Sequence, residues 1–332
     1  MDWRAGRILH GRLHSFQLEK PLTKSSTVFK ARVLPKSTGS TPKWAVIKTA
    51  YERYKLADLK REYRVYSIES IRKSKHIRAL LDTIDDFDST PNLADPTPGA
   101  KPWMAFEWMD HSLVDFDPKY FKQHPRILQV ASKSVLKALA TYKELNLIHT
   151  DLKHENILIS NIDSEEPTVK LADLGASSYC PFAIPDGFND ERIQPIACRA
   201  PEVWRGKGCF HASDVWSLDV TLTDCLSPAS IFGIHDDPLG VGEHWAVAKL
   251  FRLFNSLPSP VDRYRESEWE LAEKLVDPQY GYMKVGTIDK EIRKLELPEI
   301  MVDFIMSLLV VDDEKRPTAQ EALKHPFIHA EF

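Results

Sequence analysis

The chain has 332 residues, of which 43% are hydrophobic and 28% charged, with a formal charge of −4. This is globular composition, long enough for one large domain or two lobes, and without a basic surplus nucleic acid is not the expected partner. No run approaches the ~20 apolar residues of a membrane span, and "MDWRAGRILHGRLHSF" has no apolar stretch of signal-peptide length;. The four cysteines, Cys180, Cys198, Cys209 and Cys225, form neither a CxxC pair nor a zinc spacing. Reduced thiols in the cytoplasm or nucleus are expected. Cys180 and Cys198 flank one loop, so a regulatory disulfide is the alternative for that pair.

In chain order, residues 18–50 read as strands. "STVFKARVL" and "KWAVIKTA" are rich in β-branched and aromatic residues, and the polar turn "PKSTGSTPK" separates them;. From Leu56 to Ser74 the text turns helical and charged. "HIRALLDTIDDF" returns to strand character, "DSTPNLADPTPGAKP" is a Pro-rich loop, and "WMAFEWM" is a short strand. "PRILQVASKSVLKALATYKELNLI" places Ile127, Val130, Ala131, Val135, Ala138, Leu139 and Tyr142 at helical spacing, with a proline suited to the first turn;. Beyond it the pattern is mostly helical with long loops and no internal repeat. A small strand-rich part followed by a larger helical part is expected, joined near Met109.

The stretch "LIHTDLKHENILI" sets His149, Asp151, Lys153 and Asn156 at fixed offsets between apolar runs. Phosphoryl transfer needs an oriented hydroxyl, neutralised phosphates and metal ions held by oxygen ligands. A carboxylate, an ammonium and an amide oxygen supply these. Taken alone, the stretch has a second, lesser reading as a chance polar loop between strands. Other pieces stand around it in order. "AVIK" ends in Lys48 on a predicted strand, and Glu62 in "LKREYRVYSIES" is placed to pair with it. "VKLADLGA" puts Asp173 after a strand as a second metal ligand. "CRAPEVW", "SDVWSLDV" with Asp214, and "DDEKRPTAQEALKHPFI" with Arg316 follow.

From about Phe16 to Phe327 these ordered motifs resemble those of eukaryotic protein kinases. Small-molecule phosphotransferases share the loop but not "APE" or the Arg316 segment. The resemblance implies an α+β, bilobal protein-kinase fold with a small β-rich N-lobe and a larger, mainly α-helical C-lobe. One kinase domain would span residues 1–332, with the N-lobe at about 14–108, the hinge at about 107–110 and the C-lobe at about 111–328. Glu202 would pair with Arg316. Thr150 stands where most kinases have Arg, and "HTD" with "DLG" is similar to SR-protein kinases and their LAMMER relatives within the CMGC group. "IQPIACRAPE", with Arg199 before the APE motif, and "GEHWAVAKLFRLFNSLPSP", with Glu243, His244 and Ala246, match the same branch.

The resemblance carries residue roles with it. Asp151, Lys153 and Asn156 would be catalytic. Lys48, Glu62, Val28, Val46, Glu107, Met109 and Leu158 would bind ATP, with the Glu107 carbonyl and Met109 N–H meeting the base and Phe106 as gatekeeper. Asn156 and Asp173 would hold Mg²⁺. The implied activity is transfer of the ATP γ-phosphoryl group to a protein Ser or Thr, with Arg/Ser-rich substrates following from the branch alone. The segment aligned with the glycine-rich loop holds no glycine: Pro21, Thr23 and Ser26 take the three glycine places. A left-handed backbone at Thr23 would cost about 1–2 kcal/mol. The alternative function is therefore an inactive or weak kinase-fold interaction scaffold. His154, Leu174 and Asp219 also depart from the family pattern.

Overall fold

A computed structural model describes residues 5–34, 42–84, 102–181, 193–261 and 265–332. They divide into two compact units, Met1–Asp110 with Ala172–Ala176, and His111–Leu171 with Ser177–Phe332.

The first unit carries β1 (Ile8–His10), β2 (Ser15–Pro21), β3 (Val28–Leu34), β4 (Trp44–Thr49), α1 (Arg53–Tyr66), α2 (Glu69–Lys73), β5 (Leu80–Ile84) and β6 (Trp103–Glu107). The strands form one six-stranded sheet in the order β1-β2-β3-β4-β6-β5, and every pairing in it is antiparallel. Side chains alternate across a strand. Phe29, Ala31 and Val33 of β3, Ala45 and Ile47 of β4, and Trp103 and Ala105 of β6 therefore enter one core with Phe16 and Leu18. Val28, Val46, Lys48 and Phe106 fall on the opposite face, where Val28 pairs with Lys48 and Val46 with Phe106. Helix α1 buries Leu59, Glu62, Val65 and Tyr66 at helical spacing.

Strand β1 lies before residue 14, outside the expected sheet boundary. Three residues are too few to show a periodicity, and a distant side chain holds the turn that follows them. Asp82 of β5 accepts the N–H groups of Arg12, Leu13 and His14 at 3.1, 2.7 and 2.8 Å. The turn at 35–43 and the Pro-rich loop at 88–102 lie almost wholly outside the described residues.

The second unit carries β7 (His111–Ser112), α3 (Pro118–Gln123), α4 (Pro125–Glu144), β8 (Leu147–Ile148), β9 (Ile157–Ser160), β10 (Thr168–Leu171), β11 (Ser178–Tyr179), α5 (Pro201–Trp204), α6 (His211–Leu226), α7 (Glu243–Phe254), α8 (Glu266–Val276), α9 (Ile288–Arg293), α10 (Glu299–Leu308) and α11 (Ala319–Ala322). Helix α4 buries the expected stripe apart from Val130, which is half-buried. Helix α6 is buried on all sides, polar residues included. Burial without a partner is costly, and three of its hydroxyls find acceptors: Ser217 Oγ donates to Cys198 O at 2.7 Å, Thr221 Oγ1 to Ser217 O at 2.7 Å and Ser213 Oγ to Glu202 Oε1 at 2.6 Å. Gln194 joins them, donating Nε2 to Ser213 O and Ser217 Oγ while its Oε1 accepts Ala200 N–H at 3.0 Å.

All four cysteines are free thiols, so the Cys180–Cys198 bridge does not form. Cys198 is 2% exposed, and burial pushes its thiol up to about 12. Among the described residues no helix is long and apolar enough to cross a membrane.

Candidate active site

In the sheet unit, Lys48 projects from β4 into the company of two carboxylates. Its Nζ donates to Glu62 Oε2 at 2.8 Å and to Asp173 Oδ1 at 2.7 Å. Glu62 is 1% exposed on α1, and its other oxygen accepts Leu174 N–H at 3.2 Å. One glutamate thus ties the lysine to the segment carrying Asp173. Burial opposes the Lys48 charge, but Glu62 and Asp173 together outweigh it and hold the ammonium pKa above its ordinary value. Asp173 adopts a left-handed φ of 59°, and Arg61 Nη1 donates to Gly175 O at 2.8 Å, fixing the turn beyond it. An ammonium with three donors, two of them spent on carboxylates, keeps one for a phosphate oxygen.

The glycine-free segment closes β2 against β3. Pro21 remains in strand, paired with Phe29. The left-handed residue is Ser26, φ 52°, rather than Thr23. The expected cost therefore falls on a residue without β-branching. The hydroxyls of Thr23, Ser25 and Thr27 bond to one another, at 3.2 and 2.8 Å, and Leu22 N–H donates to Val28 O at 2.8 Å.

At the end of β6, Phe106 is 2% and Met109 7% exposed. The Glu107 carbonyl, expected to meet the base, already accepts Arg78 Nε at 2.8 Å. The Arg78 guanidinium lies 5.5 Å from the Phe106 ring centroid. Sequence reasoning passed over Arg78. Its signal was a single cation inside the apolar run "HIRALL".

In the helical unit, residues 149–156 form a turn between β8 and β9. The Asp151 carboxylate accepts Lys153 Nζ at 2.9 and 3.0 Å. Asn156 Nδ2 donates to Asp151 O at 2.7 Å and to Asp151 Oδ2 at 2.9 Å. Asp214, 1% exposed at the start of α6, accepts His149 N–H at 2.7 Å and Thr150 N–H at 3.0 Å. Burial raises the Asp214 pKa while these bonds and His149 oppose the rise. Leu158 lies half-buried on β9. Arg316 forks onto Glu202, at 2.8 and 2.9 Å, with both side chains fully buried, as the motif order implied.

The donor chemistry suits Mg²⁺. Asn156 commits its amide nitrogen to Asp151, which leaves its carbonyl oxygen as the atom to offer a cation. Asp173, in the sheet unit, is likewise a hard oxygen donor, and its Oδ1 accepts Lys48 Nζ. Mg²⁺ takes hard oxygen ligands and usually binds through one or two protein groups with substrate phosphates. Among the described residues there is no cluster of three His, Cys, Asp or Glu side chains fit for another kind of metal site.

The family model of the protein kinase domain matches residues 24–328. The chain belongs to the protein kinase family. Its fold is the kinase fold, with a β-sheet unit and a helical unit, and membership implies a phosphotransferase acting on proteins, with ATP and usually Mg²⁺. The chain is 23% identical over 252 residues to the dual specificity protein kinase lkh1 of Schizosaccharomyces pombe, covering 68% of this chain and 34% of that protein. It is 26% identical over 245 residues to cyclin-dependent kinase-like 2 of Oryctolagus cuniculus, covering 71% and 39% respectively. The matched part is thus well under half of either relative. Both relatives are CMGC-group kinases, in keeping with the branch that the "HTD" and "DLG" motifs indicated.

Proposed function

We propose that this kinase transfers the γ-phosphoryl group of a nucleoside triphosphate to Ser or Thr hydroxyls of a protein substrate. The observation that carries the reading is Asp151, whose carboxylate and carbonyl are fixed by Lys153 and Asn156. Asp151 orients the substrate hydroxyl and takes its proton. Lys153 offsets negative charge on the group in transit. Lys48, positioned by Glu62, binds phosphate oxygens. The kinase motifs assign Val28 and Val46 of the sheet unit and Leu158 of the helical unit to the base. The same motifs assign Mg²⁺ to Asn156 and Asp173, and the ion would neutralise the phosphates when bound.

The substrate class follows from the resemblance to SR-protein and LAMMER kinases: Arg/Ser-rich segments, encountered in cytoplasm or nucleus, with neither nucleic acid nor membrane as partner. The glycine-free turn favours a second reading, a kinase-fold scaffold without turnover.

The test is transfer from γ-labelled ATP and GTP with Mg²⁺ to an Arg/Ser-rich peptide, a generic basic protein and a Tyr peptide, with Asp151→Asn as control. Transfer to Ser or Thr that vanishes in the control supports the reading. Label on the Tyr peptide overturns the restriction to Ser and Thr. No transfer by folded protein with either donor favours the scaffold.

A further inference from the structure

The base-binding end of the sheet unit departs from what an adenine requires. Adenine carries a 6-amino group, a donor, and a backbone carbonyl such as that of Glu107 is the acceptor suited to it. Here Arg78 already occupies one lone pair of that carbonyl, through Nε at 2.8 Å. The residue is held there from several sides. Its backbone carbonyl accepts the Tyr66 hydroxyl at 2.8 Å, and the Tyr66 and Phe106 rings lie 5.6 Å apart. Its guanidinium rests on the Phe106 face. The next residue, Ala79, donates its N–H to Glu107 Oε2 at 3.2 Å and accepts Glu107 N–H at 2.9 Å. Nε is its one hydrogen-bonding nitrogen among the described residues.

The chemical effect is an inversion. Arginine has only donors. With Nε spent on the carbonyl, what remains at this edge is a pair of guanidinium nitrogens carrying further N–H groups. A 6-amino group brought here faces guanidinium donors and must share with Arg78 the one carbonyl that could reward the loss of its water. A purine with a carbonyl at position 6 faces the reverse situation. Its O6 and N7 are adjacent acceptors, and arginine reads that pair through two parallel N–H bonds.

We propose that Arg78 makes this a site for 6-oxopurine nucleotides, with guanine or hypoxanthine preferred over adenine as the base of the phosphoryl donor. Arg78 bridges the Glu107 carbonyl to O6 and N7, so the hinge presents donors where other kinases present an acceptor. This deepens the proposed function, on which it rests: it names the donor nucleotide of the same reaction. The carboxylates of Glu62 and Asp173 and the phosphate-binding Lys48 are unaffected by the choice of base.

The experiment is isothermal titration of the chain with Mg²⁺ complexes of ATP, GTP and ITP, on the wild type, Arg78→Val and Arg78→Met. Thermal melting without nucleotide checks that each variant folds. ITP separates position 6 from the 2-amino group, because it keeps the 6-carbonyl, N1–H and N7 of GTP and lacks only the 2-amino group. The expected result is GTP and ITP binding about tenfold or more tighter than ATP, with the order reversed in both variants. Tighter ATP binding by the wild type, or an order that the variants leave unchanged, overturns the proposal. So does a wild type that binds no nucleotide beside variants that bind ATP, since Arg78 is then a plug rather than a selector. If neither wild type nor folded variants bind any of the three, the reading of the chain as a nucleotide-using enzyme falls as well.

Discussion

Asp214 accepts the backbone N–H of Thr150, a residue held at a left-handed φ of 64°. A β-branched residue rarely adopts that backbone, and such strain persists only where the surroundings enforce it. The same carboxylate accepts His149 N–H, so one buried aspartate from α6 sets the entry to the Asp151 turn. Asp214→Ala strips two buried donors of their acceptor, at roughly 1–3 kcal/mol each. The expected outcome is a loss on the order of 3 kcal/mol in denaturant unfolding, with kcat falling more than the nucleotide affinity.

Arg316 and Glu202 are both at 0% side-chain exposure. Removing one partner of a buried pair leaves a charge without compensation, at about 3–5 kcal/mol. Arg316→Met is expected to lose that much stability. The double change Arg316→Met with Glu202→Leu recovers much of it, and a double-mutant cycle from urea titrations measures the coupling.

Asp219 is fully buried on α6, and neither of its oxygens has a hydrogen-bond partner among the described residues. Burial holds its carboxyl pKa well above the ordinary value, opposed by Arg316. In the window between the unfolded and the raised folded pKa, the folded state binds more protons than the unfolded one. Stability therefore falls as pH rises through that window and recovers as pH is lowered. Asp219→Asn is expected to stabilise the kinase at neutral pH and to flatten this slope. Melting temperatures across pH for both proteins provide the check.

Ser26 has φ 52° in the turn between β2 and β3. Ser26→Gly relieves a left-handed cost of about 1–2 kcal/mol and returns about 0.5–1 kcal/mol through the freer unfolded chain. A net gain between zero and about 1.5 kcal/mol is expected in denaturant unfolding, together with nucleotide binding as tight as or tighter than that of the parent.

Thr150 supplies no cation beside Asp151. A phosphate on the loop after Asp173 therefore has one charge fewer to bind. Instead, Arg199 of the segment before Pro201 pairs with Glu243 at 2.9 Å and donates to the Ile193 and Gln194 carbonyls at 3.0 Å each. Rates measured before and after phosphatase treatment are expected to agree within about twofold. A large loss refutes the expectation.

Most strands and the long helix could be read because their signals are local. Val28–Leu34 and Trp44–Thr49 show β-branched alternation, and Pro125–Glu144 shows an apolar stripe. Strand β1 was missed because the carboxylate that closes its turn belongs to Asp82, far along the chain. The strained residue of the glycine-free turn was misplaced by three positions, since φ depends on how β2 and β3 pair and no residue type there announces it.

What the sequence determined by itself is the identity and order of the reactive groups: Lys48, Glu62, Asp151, Lys153, Asn156 and Asp173. Their spacing to neighbouring strands is local, and residue type fixes what each can donate or accept. What only the tertiary structure decided is who faces whom. Arg78 on the Glu107 carbonyl, Asp214 under Thr150 and Gln194 against α6 each join residues from separate elements. The reason is physical: a buried donor or acceptor must be satisfied by whatever group the packing brings within about 3 Å, and packing is a property of the whole fold.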